Sequence, residues 1–484
     1  MSFRTKLSRR ESLALALSTF ACTAAAVANP SLAAPPAMPR VTIEPVGMLV
    51  RECTLAGERR SDDVVPRHAN CVQLSRDRWL VIYSTHGYRG VDDERSIVYQ
   101  LRSGAPDGPV IKEDFFMRGT ADWRPEGVDL SGLKPNESLY KQHGHMVAFG
   151  VPRGAKINDT VPPHAGVFVV KWRVSGRVLD KSRNFLHHAN APGGPPRPGR
   201  GVEWAQFRLN EREDDLEILQ PAGPLRQSGF EKGPAFTNAS DVEWMNQSFV
   251  PAVPFNRACS EWADVNHFDG GRIAAMKYRF NLSRDLYEWV EIGPRLSAPE
   301  IDIHEAGLAH VGDAWIISAR RQRGVGVAWF RTQDPFSDKP TVVLAPEPKC
   351  NSPLTAFVCG DGILRLFTGD GSLSPHHNGR DPLYCWEIDA DNGFATIERN
   401  EIFDSVKQQL PIRKEVVPKV DFCELFPPHD GTQLVVFGVS TRGYNFPYEN
   451  RSDIVAINAA EKGAAGIYAA RMRYRYPVPP RWAF

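Results

Sequence analysis

The sequence predicts an all-β chain folded as a single β-propeller, and three observations predict it. Helical periodicity is nearly absent: 211–219 is polar without an i, i+3, i+4 stripe, and 459–465 is short and broken by Gly463. A unit of three short apolar runs recurs along the chain. Asp-Gly or Gly-Asp pairs sit between those runs, where a tight hairpin needs residues that tolerate positive φ.

Residues 1–28 have the character of an export signal, cleaved from the mature protein. Arg4, Lys6, Arg9 and Arg10 form a basic start, an uncharged apolar stretch follows from Leu13 to Ala28, and Ala26-Val27-Ala28 is a small-x-small cleavage site. The apolar run is about 16 residues, short of the roughly 20 that a membrane span needs. Ser8-Arg9-Arg10-Glu11-Ser12-Leu13 resembles a twin-arginine signal, with Ser12 where Phe is usual, which implies folding before export. The predicted destination is therefore periplasmic or extracellular. Residues 29–40 form a Pro/Ala-rich linker, 41–476 the propeller and 477–484 a C-terminal tail.

Each repeated unit reads as an apolar run, a turn holding Asp or Gly, a second apolar run, a polar loop and an aromatic-rich third run. The first covers 69–74, the turn 76–78, 79–83 and 97–101. A weaker second covers 146–151 and 166–172. The third covers 263–267, the turn 269–271, 272–276 and 286–290. The fourth covers 306–311, the turn 312–313, 314–318 and 326–330. The fifth covers 353–359, with its turn at 360–362, then 363–367 and 383–388. The sixth covers 422–426, the turn 430–431, 434–438 and 467–472. A three-stranded unit has two unburied faces, so several must pack radially. Six blades are predicted, with 200–250 able to supply a seventh and 41–50 placed to close the ring beside the C-terminal strand. A large β-sandwich is the competing architecture.

Hydrophobic content of 42% is enough for a large core, and no low-complexity linker divides the mature chain. The formal charge of +1 falls to about −2 once the signal is removed, which argues against nucleic acid or an anionic membrane as the main partner. Seven of the eight cysteines remain, without CxxC spacing. Cys53–Cys71 and Cys350–Cys359 are close enough in sequence to bridge, while buried thiols are expected for most of them.

Charged and imidazole residues cluster at two places in each unit. Before the first strand stand Arg67 and His68, His143 and His145, Glu261 and Asp264, Asp302 with His304 and Glu305, and Asp421. After the second stand His86 with Asp92 and Asp93, Lys277 and Arg279, Arg320 and Arg321, Asp370 with Arg380, and Arg442. The start of one strand and the end of its antiparallel partner share an edge, so both sets are predicted to meet around one mouth of the channel. Arginines there suit carboxylates, which guanidinium binds bidentately. Paired carboxylates suit acid/base work at a glycosidic bond.

These residues resemble the sialidase-like propellers that carry BNR, or Asp-box, repeats. Arg67-His68-Ala69-Asn70-Cys71-Val72 resembles that family's first strand, whose Arg binds the substrate carboxylate, although the Ile-Pro that usually follows is missing. His304-Glu305 followed by Arg320 resembles its Asn-Glu strand and second arginine. The resemblance implies that Glu305 polarises the nucleophile, that Arg320 binds carboxylate, and that Asp92 or Asp93 is the acid/base group. Only eroded Asp boxes survive, at 102–108 and 331–336, and Pro353 stands at the spacing expected for the nucleophilic tyrosine. The third arginine stays open among Arg380, Arg413 and Arg442.

The expected activity is thus a secreted, sialidase-like glycosidase acting on an acidic oligo- or polysaccharide. The catalytic candidates are Glu305, Asp92, Asp93, His143, His145 and Asp264. The substrate-binding candidates are Arg67, His68, His86, His304, Arg320, Arg321, Asp370, Arg380, Asp421 and Arg442. A lyase of uronate-containing glycans is the second reading, because Tyr140-Lys141-Gln142-His143-Gly144-His145 holds the residue types that remove a proton beside a carboxylate. A non-catalytic glycan-binding propeller is the third. No catalytic cofactor is expected; a structural ion on the His-x-His pair would be calcium sooner than zinc. A monomer without a membrane span is expected.

Overall fold

The computed structural model describes residues 40–51, 64–87, 96–120, 122–125, 129–180, 185–187, 200–226, 245–246, 252–268, 271–298, 302–321, 326–337, 339–349, 353–373, 380–410, 419–440 and 464–484. The proposed signal, the linker up to residue 39, the Cys53 and Cys350 positions, Asp92, Asp93, Arg413 and Arg442 lie outside them. The strand positions of His86 and Asp421 are described, but not their side chains.

Among the described residues every regular element is a strand, and the strands form six antiparallel sheets. The first strand, β1 (Val41–Val50), belongs to the last blade. Blade 1 is β2 (Val64–Ser75), β3 (Arg78–Gly87), β4 (Ile97–Ser103) and β5 (Val110–Met117). Blade 2 is β6 (Glu137–Gly150), β7 (Phe168–Asp180), the short β8 (Phe185–His187), β9 (Arg200–Leu209) and β10 (Leu216–Pro224). Blade 3 holds β11 (Met245–Asn246), β12 (Val253–Pro254), β13 (Glu261–Phe268), β14 (Arg272–Asn281) and β15 (Leu286–Ile292). Blade 4 is β16 (Ile303–Val311), β17 (Ala314–Arg321), β18 (Val327–Thr332) and β19 (Thr341–Ala345). Blade 5 is β20 (Thr355–Val358), β21 (Leu364–Gly369), β22 (Leu383–Asp389) and β23 (Ala395–Phe403). Blade 6 is β24 (Lys419–Leu425), β25 (Thr432–Ser440) and β26 (Gly466–Tyr474), completed by β1.

The fold is a six-bladed β-propeller. The described part of the stretch offered as a seventh blade is absorbed: β9 and β10 become the third and fourth strands of blade 2, and Met245–Asn246 joins blade 3. As expected, β1 pairs with β26, from Val41 opposite Tyr474 to Val50 opposite Ile467, so strands from both ends of the described chain close one sheet. A ring closed by backbone hydrogen bonds resists opening more than one closed by packing alone.

Burial explains why the sequence chooses this arrangement. The middle strands are buried on both faces: β4, β17 and β22 each show six consecutive buried residues. Outer strands such as β10 and β23 mix exposed and half-buried positions. A sheet apolar on both faces has to be sandwiched by its neighbours. Six apolar clusters supply the sandwiching, each straddling one blade-to-blade interface; Leu80 and Tyr99 of blade 1 share one with Phe168 and Trp172 of blade 2. Trp79, Trp172, Trp262 and Trp329 are among the largest fully buried side chains, each removing on the order of 3 kcal/mol of apolar surface from water.

Blade 3 is phased one strand later than the repeat suggests. His267 near the end of β13 meets His304 near the start of β16, and Phe255 before β13 stacks on Trp315 at the other end of blade 4. β13 therefore runs opposite to β16 along the channel and is the second strand of its blade. The inner position belongs to β11 and β12, which pair with the far edge of β13. The cysteines Cys71, Cys259, Cys359, Cys385 and Cys423 are free and buried, as the sequence led us to expect for most of them.

Candidate active site

Three inner strands share one irregularity in their pairing. Pairing of β2 with β3 skips between Arg67 and Ala69, that of β6 with β7 between Gly144 and Met146, and that of β16 with β17 between His304 and Gly307. The inserted residues His68, His145 and Glu305 have φ of 52°, 48° and 46°. None is glycine, and a left-handed residue with a side chain costs about 1–3 kcal/mol. A bulge reverses the alternation of side chains, so it turns toward the channel a residue that a regular strand would point away. This conformation recurs in three blades, each time on an imidazole or a carboxylate.

The bulged side chains meet across blades. His68 and His145 lie ring to ring at 4.4 Å, joining blades 1 and 2. His267 and His304 repeat that contact at 4.4 Å between blades 3 and 4. Glu305 Oε2 accepts a 2.7 Å hydrogen bond from Arg320 Nη1. Burial alone would raise the Glu305 carboxyl, but Arg320, Arg380 and His304 together hold it below the usual carboxylate range, so it is an anion at neutral pH. Arg380 of blade 5 thus lies within the field of Glu305, while Arg413 and Arg442, the other two candidates for a third arginine, lie outside the described residues.

Seven of the predicted residues gather here: Arg67, His68, His304, Glu305, Arg320 and Arg380 on strand ends and flanks, and His145, inside β6, against His68. Arg67 is buried, and its carbonyl accepts the Ser84 hydroxyl at 3.0 Å. Arg321 ends β17 opposite Ile303, half-buried.

Six predicted residues, Asp264, Glu261, Lys277, Arg279, His143 and Asp370, are placed or engaged differently. Asp264 lies mid-strand, 1% exposed, in an ion pair with Lys171 of blade 2 and close to Asn266 and Tyr278. This pair locks two blades together at mid-strand. The same phase shift puts Glu261, Lys277 and Arg279 at the opposite edge, where Arg279 pairs with Glu261 at 2.6 Å and Lys277 sits over Phe255 and Phe336. His143 is wholly buried against Trp172, with Nε2 3.0 Å from the Arg118 carbonyl; burial, then the charge of Lys141, push its pKa down to about 3. An imidazole that stays neutral and enclosed serves poorly as a base. Asp370 is at the blade 5 edge, but its oxygens accept from Lys349 N, Ser372 N and Ser372 Oγ, so it folds its own loop.

Two residues were missed. His267 escaped because the repeat was phased one strand early. Glu424, deeper in the ring on β24, was passed over for Asp421; burial pushes its carboxyl well above the ordinary range, with the Asn70 side chain beside it. Asn70 Oδ1 also accepts Ala148 N at 3.1 Å, tying blade 1 to blade 2 below the histidine pair. No group of three or more metal-ligating side chains is present among the described residues.

The class that the fold defines is the six-bladed β-propeller. No family model matches the sequence, and neither does any curated relative. Among solved structures the chain is similar to a protein of unknown function from Dyadobacter fermentans, with a TM-score of 0.53 and 9% identity over 90% of this chain and 100% of that one. It is also similar to a Hadza microbial sialidase, with a TM-score of 0.46 and 10% identity over 85% of this chain and 66% of that one. The chain thus spans just under two thirds of that sialidase's length. A third similar structure is the α-L-arabinofuranosidase of Fusarium graminearum, with a TM-score of 0.43 and 10% identity over 88% of this chain and 98% of that one. At these identities the likeness is one of fold.

Proposed function

We propose that this protein is an exported glycoside hydrolase of sialidase-like fold that cleaves an acidic glycan at the mouth formed by blades 1 to 5. The observation that carries the reading is Glu305: an anionic, largely enclosed carboxylate on a strained bulge, hydrogen-bonded to Arg320 and within the field of Arg380. Such a carboxylate stabilises positive charge that develops at a sugar carbon during glycosidic cleavage. The arginines suit a substrate carboxylate, and the two histidine pairs offer donors and acceptors to hydroxyls. The acid/base partner is proposed at Asp92 or Asp93, which follow β3 in the sequence and lie outside the described residues.

The lyase reading is weakened by His143, which is enclosed and stays neutral far below physiological pH. Export rests on residues 1–28, and a monomeric protein is proposed. No helix among the described residues is long and apolar enough to cross a membrane. Incubation with a panel of sialate- and uronate-containing glycans tests the reading. Reducing sugar without absorbance near 235 nm is the expected outcome. Absorbance at that wavelength reports elimination and would replace the hydrolase by a lyase; binding without turnover would leave a recognition module.

A further inference from the structure

Residues 477–484 lie across the end of the channel where the inner strands β2, β6, β16, β20 and β24 finish. Val478 N donates to Gly431 O at 3.2 Å, in the connection between β24 and β25 of blade 6. Lys156 N, in the connection between β6 and β7 of blade 2, donates to Ala483 O at 2.7 Å. Two glycines let this strap come close. A Cβ at Gly431 would stand 2.9 Å from Pro477 Cβ, and one at Gly360 would stand 3.0 Å from Val478 Cβ.

The strap has two buried anchors and an exposed middle. Val478 packs in the apolar cluster between blades 5 and 6, with Phe367, Val435 and Tyr474. Trp482 packs in the cluster between blades 2 and 3, with Phe149 and Trp262. In a ring of six blades those two interfaces are diametrically opposite. Pro479, Pro480 and Arg481 are exposed and make the crossing. The residue types suit it: fixed φ keeps a Pro-Pro pair extended, four such steps bridge about 12 Å, and proline has no N–H to leave unpaired over an apolar surface. Ala148, Leu308, Phe357 and Phe426 line a cavity of about 480 Å³ against the strap, and the buried free thiol residue Cys71 lines it as well.

We propose that residues 478–482 are a tie across the diameter of the ring, holding blades 2 and 3 to blades 5 and 6 and barring the adjoining cavity to bulky solutes. Ring closure then has two parts. Pairing of β1 with β26 resists tearing at one seam, whereas the tie resists splaying of the strand ends on opposite sides. Cys71 reports on the second part. The full chain is treated in its native state with fluorescein maleimide, and labelled cysteines are mapped by peptide mass spectrometry. Cys385, fully buried between blades 5 and 6 and away from the cavity, is the control. Both thiols are expected to resist labelling in the unmodified protein. A variant ending at Val478 is expected to label Cys71 at least about tenfold faster, with Cys385 still protected, because losing a buried tryptophan anchor favours local opening by that much or more. Trp482→Ala keeps the strap and releases one anchor; it is expected to give the same selective gain, and it decides the matter if the shortened chain does not fold. Cys71 labelling that is equal in the unmodified protein and in Trp482→Ala overturns the proposal. So does a gain in Trp482→Ala shared by Cys71 and Cys385, which reports general unfolding and not the release of a tie.

Discussion

Glu305 and Arg320 stand on neighbouring strands, and their 2.7 Å hydrogen bond exists because the strand between them and the turn is one residue too long. His304 is opposite Arg320, so in a regular ladder residue 305 would face the other side of the sheet. The bulge brings Glu305 round to the arginine and holds it there at φ 46°. Charge is then what the site gains. Glu305→Gln keeps the shape and removes the anion, and activity on the cleaved glycan should fall by about 10²–10⁴. Arg320→Lys keeps a charge but loses the planar fork, and KM should rise more than kcat falls. Steady-state kinetics on both variants checks this.

The same carboxylate should leave a mark on acid stability. Its folded pKa is held below that of the unfolded chain, so its contribution is present above the unfolded value of about 4.3 and is lost as pH falls through the folded value. Denaturant midpoints measured from pH 7 to pH 3 should therefore fall more steeply for the unmodified protein than for Glu305→Gln.

Asp264 should behave as a structural group. Asp264→Asn leaves Lys171 buried with its charge uncompensated, which costs about 3–5 kcal/mol. Replacing both together, Lys171→Met with Asp264→Leu, should recover most of that loss. Activity per folded molecule should be unchanged in the double variant. A catalytic Asp264 would show the reverse pattern, with stability retained and turnover lost.

Glu424 offers a test of opposite sign. Burial raises its folded pKa, so the folded state holds a proton that the unfolded state releases above about pH 4.3, and stability declines as pH rises from there. Glu424→Gln carries no proton to lose. It should be more stable than the parent at pH 8 and indistinguishable at pH 4, as read by thermal melts across that range.

The sequence carried the architecture further than the site. Apolar runs separated by turns holding Asp or Gly found the inner hairpins of blades 1, 4, 5 and 6, because those residues tolerate the φ values a tight turn needs. Blade 3 defeated the same reading. Its first strand, of which Met245–Asn246 and Val253–Pro254 are described, lacks the long apolar run of the others. The next hairpin then took its place, which carried Asp264 to the mouth on paper and hid His267. Glu305 with Arg320 was legible from spacing, since a hairpin sets the two about fifteen residues apart. The bulges were not legible. They place a non-glycine residue where glycine would be easier, and local preference argues against them. Burial was equally hidden: His143 and His145 look alike in sequence, yet alternation and the bulge send one against Trp172 and the other to His68.

The central claim is that Glu305 at this mouth supports hydrolysis of an acidic glycan. Its most direct test is product release from a sialate- or uronate-containing glycan by the unmodified protein and by Glu305→Gln, compared at equal folded concentration. The expected result is reducing sugar from the first, and a rate at least about 10²-fold lower from the second. Equal rates from the two proteins would contradict the account.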